Sequence, residues 1–103
     1  MNDFAPADVA ASVGRALWGE VSPKLRSVQY RTVGNQIEMR FILDGVADGD
    51  ERDSISCVGA EVAADFPDAR VLEEVISTVP DSDIVTQEGW HTAYARKEPS
   101  MAR

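Results

Sequence analysis

The stretch that most constrains the fold is residues 50–67, DERDSISCVGAEVAADFP, because its apolar side chains recur with the period of an α-helix. The apolar positions are spaced by three and four residues: Ile55, Val58, Val62 and Phe66. A helix would therefore place all of them on one face, and the small residues beside them would let it pack closely against a sheet. We predict that this helix is central, lies between two hairpins and covers both.

Both ends of the central helix are marked in the sequence. Asp48 and Asp50 can accept hydrogen bonds from the free amides of the first turn, and Pro67 cannot continue the helix. Cys57 lies close to the apolar stripe, so we predict a small, buried and unreactive side chain. As the one cysteine of the chain, it cannot form an internal disulfide.

The remaining apolar patterns predict a second helix and four strands. The helix covers residues 4–18, with Asn2 or Asp3 as its cap, Pro6 in its first turn and Gly19 after its end. Alternating side chains predict strands over residues 25–33, 37–44, 69–79 and 90–97, and Gly34 and Asn35 form the tight turn between the first two. By residue preference alone, 69–79 is also compatible with a helix.

The element order α-β-β-α-β-β predicts an α+β fold: a two-layer sandwich with a four-stranded, antiparallel-rich sheet and two helices on one face. Two strand orders remain open, a split βαβ arrangement whose first strand has moved to the end and a simple sequential order. The length fits a single domain over residues 1–103, with residues 1–3 and 98–103 frayed.

Charge is distributed unevenly along the chain. The net charge is −8, yet residues 44–88 hold 13 acids and two bases, while the rest hold 5 acids and 8 bases. A field of this sign repels phosphates and anionic membranes and attracts basic proteins. We therefore predict no nucleic-acid partner and no membrane partner. The apolar runs are too short for a bilayer, and the first ten residues lack the polarity of a secretory signal, which predicts a cytoplasmic protein.

Residues that could perform chemistry are scarce. The chain has one histidine, His91, and one cysteine, so neither a Cys-His pair nor a histidine and cysteine metal site is indicated. The loop that begins at Asp44 has the glycine of a calcium loop, but Val46 and Ile55 stand where ligating oxygens are required. We predict that the protein is not an enzyme and needs no cofactor and no metal.

Four segments carry a resemblance to a known family: LWGEVSPKLRSV (17–28), IEMRFILDG (37–45), SCVGAEVAADFP (56–67) and YARKE (94–98). They resemble small bacterial cytoplasmic immunity proteins of contact-dependent growth inhibition and related polymorphic toxin systems. The resemblance implies a protein that binds and neutralises the C-terminal toxin domain of a cognate effector, typically a basic nuclease. It implies neither the toxin's identity nor the oligomeric state.

Charge and aromatic residues together suggest where such a toxin would bind. We expect the loops 44–53 and 81–88 to meet at a common edge of the sheet, with an aromatic anchor beside them. The candidate toxin-binding residues are Asp44, Asp48, Asp50, Glu51, Asp53, Asp81, Asp83, Glu88, Trp90 and His91. For Trp90, a place in the core is an equally weighted alternative. For the function, the alternative is a small acidic cytosolic scaffold or accessory subunit with no toxin partner.

Overall fold

Six elements follow one another in the order that the sequence predicts. The computed structural model describes residues 4–79 and 82–98, so the predictions on residues 1–3, 80–81 and 99–103 fall outside the described part. The elements are α1 (Pro6–Ala16), β1 (Leu25–Val33), β2 (Gln36–Asp44), α2 (Gly49–Asp65), β3 (Arg70–Thr78) and β4 (His91–Ala95). The α+β prediction is confirmed, and residues 69–79 resolve to a strand.

The first helix is shorter than predicted. It starts at Pro6, whose fixed backbone angle suits a first turn, and the residue at its cap position is Ala5, which offers no side-chain hydrogen bond. The prediction that Asn2 or Asp3 caps this helix is therefore wrong, because the helix begins too late for either to reach the cap position. Gly19 follows the helix with a φ of 79°, the left-handed conformation that glycine adopts without strain.

The first two strands form the predicted hairpin. β1 and β2 pair antiparallel, with Val28 opposite Phe41 and Tyr30 opposite Met39, and Gly34 takes a φ of 59° in the turn. These four side chains are buried and belong to the same apolar cluster. A bulge between Leu25 and Ser27 shifts the register at the start of β1.

The sheet is mixed, and its strand order is β3-β2-β1-β4. β3 runs parallel to β2 because α2 carries the chain back to the start of β2 before β3 begins, whereas β4 pairs antiparallel with the opposite edge, β1. The observed order is not sequential, because β4 lies beside β1 and not beside β3, and it is not a split βαβ arrangement, because β2 and β3 are direct neighbours. The second expected hairpin is wrong, because β3 and β4 occupy opposite edges of the sheet.

Both helices pack on one face of the sheet, as predicted. Val9 and Val13 of α1 join Val58 and Val62 of α2 in one buried cluster with the inward-facing residues of β1 and β2. At the end of α2, the ring of Phe66 meets that of Phe4 edge-on at 5.3 Å between centroids.

Cys57 is exposed, so the prediction that it is buried is wrong. Successive residues of a helix are turned by about 100° from one another, which follows from 3.6 residues per turn. Cys57 precedes the buried Val58 by one position and is turned away from the sheet, as its exposed neighbour Ser56 is.

The other face of the sheet is crossed by the segment between β3 and β4. We call this segment, residues 79–90 with 80 and 81 undescribed, the crossing loop. Gln29 donates a hydrogen bond to the hydroxyl of Thr86 at 3.3 Å, and Arg40 donates one to Gln87 at 3.0 Å. Since Gln29 and Arg40 are paired residues on the face opposite the helices, the crossing loop forms a thin second cover for the sheet.

Candidate functional site

The first turn of α2 holds two of the candidate toxin-binding residues in structural roles. The amide of Glu51 donates to Asp48 Oδ1 at 2.8 Å, and the amide of Asp48 donates to Glu51 Oε1 at 2.9 Å, which is a capping box. Glu51 is only 8% exposed and also accepts a hydrogen bond from Ser22. Asp48 caps the helix as predicted, whereas the side chain of Glu51 points into the protein.

Three further acids in the loop 44–53 differ in how far they are exposed to solvent. Asp44 lies 3.5 Å from a guanidinium nitrogen of Arg96 and is partly covered. Asp50 and Asp53 are exposed on the first turns of α2, and neither makes an ion pair within the residues that the structure describes. These two carboxylates are therefore fully presented to solvent near the positive end of the helix dipole.

Arg26 holds the start of the crossing loop in place. Its buried guanidinium donates to the side chain of Thr78 at 2.9 Å, to the carbonyl of Ser82 at 2.7 Å and to Glu98 at 2.9 Å. The hydrogen bond to Glu98 and the nearby carboxylates of Asp44 and Asp83 raise the pKa of Arg26, although its burial opposes them. The start of the crossing loop is thus held close to the end of β2.

The carboxylate of Glu98 forms an ion pair with the guanidinium of Arg26. The hydrogen bond from Arg26, and to a lesser degree the one from Arg96, lower the pKa of Glu98. Glu98, where the predicted frayed tail begins, is thereby tied to β1. Of the remaining candidate acids, Asp83 and Glu88 are exposed, and Asp81 lies outside the described residues.

The two aromatic candidates lie at the far end of the crossing loop. Trp90 is 8% exposed, and the guanidinium carbons of Arg31 and Arg40 stand 4.7 Å and 4.0 Å from its ring centre. His91 is exposed and packs at 5.3 Å against the ring of Tyr30. The structure thus does not bring Trp90 and His91 to the end where Asp48 and Asp50 lie, because β1 separates the two regions along its length.

A shallow groove runs beside Trp90 on the outer face of the sheet. It has a volume of about 290 Å³ and is bordered by charged side chains of both signs and by Leu72. Arg40 and Glu74 form an ion pair across it at 3.2 Å. Arg31 and Glu38 form a second ion pair at its border at 2.8 Å, so most of the groove's charged side chains already have a partner within the protein.

Sequence reasoning missed one prominent surface residue, Trp18. Its side chain is 86% exposed, and Val46, at the same end of the sheet, is 72% exposed. The sequence pattern places Trp18 only at the end of the predicted helix over residues 4–18. The available signal was its position between Leu17, the last apolar residue of the helical stripe, and Gly19, which ends the helix: a residue there is turned away from the core.

Within residues 4–79 and 82–98, no group of three or more histidine, cysteine or acidic side chains is placed to hold a metal ion. In the same part of the chain, neither helix combines the length and the apolar character that crossing a bilayer requires.

The fold and its surface together define a small, acidic α+β protein with two helices on one side of a mixed sheet. A family profile described as MafI2 immunity protein matches residues 6–98. The chain therefore belongs to the MafI2 immunity protein family, and the resemblance to immunity proteins of polymorphic toxin systems is confirmed. Membership implies a cognate toxin as partner. No curated protein matches the chain significantly.

Proposed function

We propose that this immunity protein acts in the cytoplasm, where it binds and neutralises the C-terminal nuclease domain of an effector from a contact-dependent growth inhibition system. The observation that carries the proposal is the charge distribution of a chain that belongs to an immunity family. Residues 44–88 hold 13 of its 18 acids but only two bases. A nuclease that binds polyanions presents bases at its active site, so an acidic inhibitor is complementary to it.

The acids also suggest how neutralisation proceeds. Exposed carboxylates such as Asp50 and Asp53 would attract a basic domain at long range and speed up its association. Once bound, the inhibitor would cover the basic surface that the nucleic acid needs. In this mechanism the protein contributes no catalysis and requires no cofactor.

We place the toxin interface on the two acidic loops, and four aspartates test this. Replacing Asp48, Asp50, Asp81 and Asp83 together with asparagine removes four charges, and asparagine remains a good cap at position 48. The variant should fold, associate with the toxin more slowly than the wild type and show a flatter dependence of that rate on salt. An unchanged rate and salt slope would move the interface elsewhere.

The function itself is tested in two steps: the reading frame next to this gene should encode a toxin domain, and that domain is then expressed with and without this protein. Cells that make the toxin alone should stop growing and lose nucleic acid integrity, whereas cells that also make this protein should grow. A second toxin domain from an unrelated effector is the matched control and should remain toxic. If the neighbouring toxin kills equally with and without this protein, or if the two proteins do not co-purify, the proposed function fails.

A further inference from the structure

Three exposed apolar side chains lie on neighbouring segments at one end of the described molecule: Trp18, Val21 and Val46. Trp18 is 86% exposed, Val46 72% and Val21 41%. Tryptophan is usually well buried, so a nearly free indole in a turn that is hydrogen-bonded back to α1 calls for a physical reason. Exposed apolar groups of this size are typical of surfaces that are covered by a partner.

Hydrogen bonds fix the segments that carry these three residues to one another. Lys24 donates from its ammonium to the carbonyl of Val46 at 3.1 Å, and the amide of Asp44 donates to the carbonyl of Lys24 at 2.8 Å. Ser22 reaches across to Glu51 on α2 at 3.3 Å. The turn after α1 and the loop before α2 therefore form one continuous end of the molecule.

Acids surround this apolar surface. Asp48, Asp50 and Asp53 are exposed on the neighbouring first turns of α2, and Glu20 is half-buried between Trp18 and Val21. The bases of the same region are Lys24, which also lies 3.7 Å from Glu51, Arg52, and Arg96, which donates to the carbonyl of Pro23 at 2.7 Å and lies 3.5 Å from Asp44. An aromatic residue ringed by charged groups is the usual arrangement at the energetic centre of a protein interface.

We infer that Trp18, with Val21 and Val46 beside it, is the anchor by which this protein binds its toxin, and we call these three residues the Trp18 surface. The inference rests on the proposed function and names the part of the protein that carries it out. The occupant is a basic protein surface with an apolar cleft for the indole. A second copy of this chain fits poorly, because two such ends would bring their acids together.

The test compares two exposed apolar residues at opposite ends of β1. Trp18→Ala removes the anchor, and Val33→Ala, which alters a 48% exposed side chain at the hairpin end, is the matched control. The probe is the purified, catalytically inactivated toxin domain that the co-expression test above identifies. We expect Trp18→Ala to weaken toxin binding by roughly 30-fold or more, mainly through faster dissociation, and Val33→Ala to bind as the wild type does.

A second readout separates contact from a merely structural role. Both variants should melt as the wild type does, and the indole N–H resonance of Trp18 should shift on addition of toxin while that of Trp90 stays in place.

If the wild type binds the toxin and Trp18→Ala binds equally well, the Trp18 surface is not the anchor, although the proposed function stands. Failure of the wild type to bind overturns both. Loss of a self-associated form on Trp18→Ala, without toxin, would assign the surface to a second copy and overturn the inference.

Discussion

Among single residues, Arg26 links several distant segments of the chain. Its guanidinium donates to β3, to the crossing loop and to Glu98, and only 3% of the residue is exposed. A planar fork with five N–H donors can serve these acceptors at once, whereas a single ammonium group cannot.

Arg26→Lys should therefore destabilise the protein while preserving the charge. We expect a loss of about 2–3 kcal/mol of the free energy of unfolding, since several charge-assisted hydrogen bonds lose their donor. Urea denaturation measures it, and Lys97→Ala, at an exposed position with no ion pair in the described part of the chain, should stay within about 0.5 kcal/mol of the wild type. A Lys variant as stable as the wild type would show that these contacts contribute little.

Glu73 is a residue whose environment disfavours its charge. Although Glu73 as a whole is exposed, its carboxylate lies against Gly59, in the space that a side chain there would fill, and the local loss of solvent raises the pKa of Glu73. Because the folded-state pKa lies above the unfolded-state value, the ionised form destabilises the fold. This penalty is absent below the unfolded-state pKa and grows as pH rises through the folded-state pKa.

Glu73→Gln should therefore raise the urea midpoint at about pH 7 but not at about pH 3, where the wild-type carboxyl is already neutral. Glu61→Gln, at an exposed position of α2, removes the same charge and controls for the change in net charge. A midpoint difference that is equal at both pH values would contradict the proposed cause.

At the scale of the element, α2 depends on its capping box. Asp48→Ala leaves amides of the first turn without their side-chain acceptor and should lower the free energy of unfolding by about 1 kcal/mol. Asp48→Asn should retain most of the stability, because an asparagine oxygen can accept the same bond. Asp53→Ala, in the same helix but outside the box, is the control for urea denaturation; an equal loss there would mean that helix charge, not capping, is responsible.

The exposed position of Cys57 defines which face of α2 meets solvent. We expect a thiol reagent to label it at similar rates in the folded protein and in urea, within about an order of magnitude, because reaction depends on access. The double variant Cys57→Ser/Val62→Cys moves the thiol to a fully buried position, where labelling should become slow. Strong protection of Cys57 in the folded wild type would contradict this orientation of the helix.

Periodicity revealed all six elements, since spacing along the chain determines which side chains share a face. It could not reveal the strand order, because alternation states which face of a strand is buried and not which strand lies beside it. The burial of Trp90 shows the same limit. Trp90 follows a glycine at the end of a polar loop, and it is covered by Arg31 and Arg40, residues that only the folded sheet brings to it.

For the molecule as a whole, the sheet has two unequal covers: helices on one face and the crossing loop on the other. Trp90 is the buried residue by which the crossing loop packs on the sheet. Trp90→Ala should therefore lower the free energy of unfolding by about 3–5 kcal/mol and speed amide exchange in the crossing loop. Trp18→Ala, which removes the same side chain from an exposed site, should leave both quantities nearly unchanged. Equal effects of the two variants would mean that the crossing loop does not stabilise the sheet.

The pairing of β4 with β1 also has a consequence for synthesis. Arg26 and Glu98 are 72 residues apart in the chain, so β1, β2, α2 and β3 all leave the ribosome before the strand that completes the sheet. Until then, the inner edge of β1 carries unpaired backbone groups that could pair with another chain. A transcript cut short after β3 would therefore yield a product with an open β1 edge, prone to pair with other chains until the last strand is made.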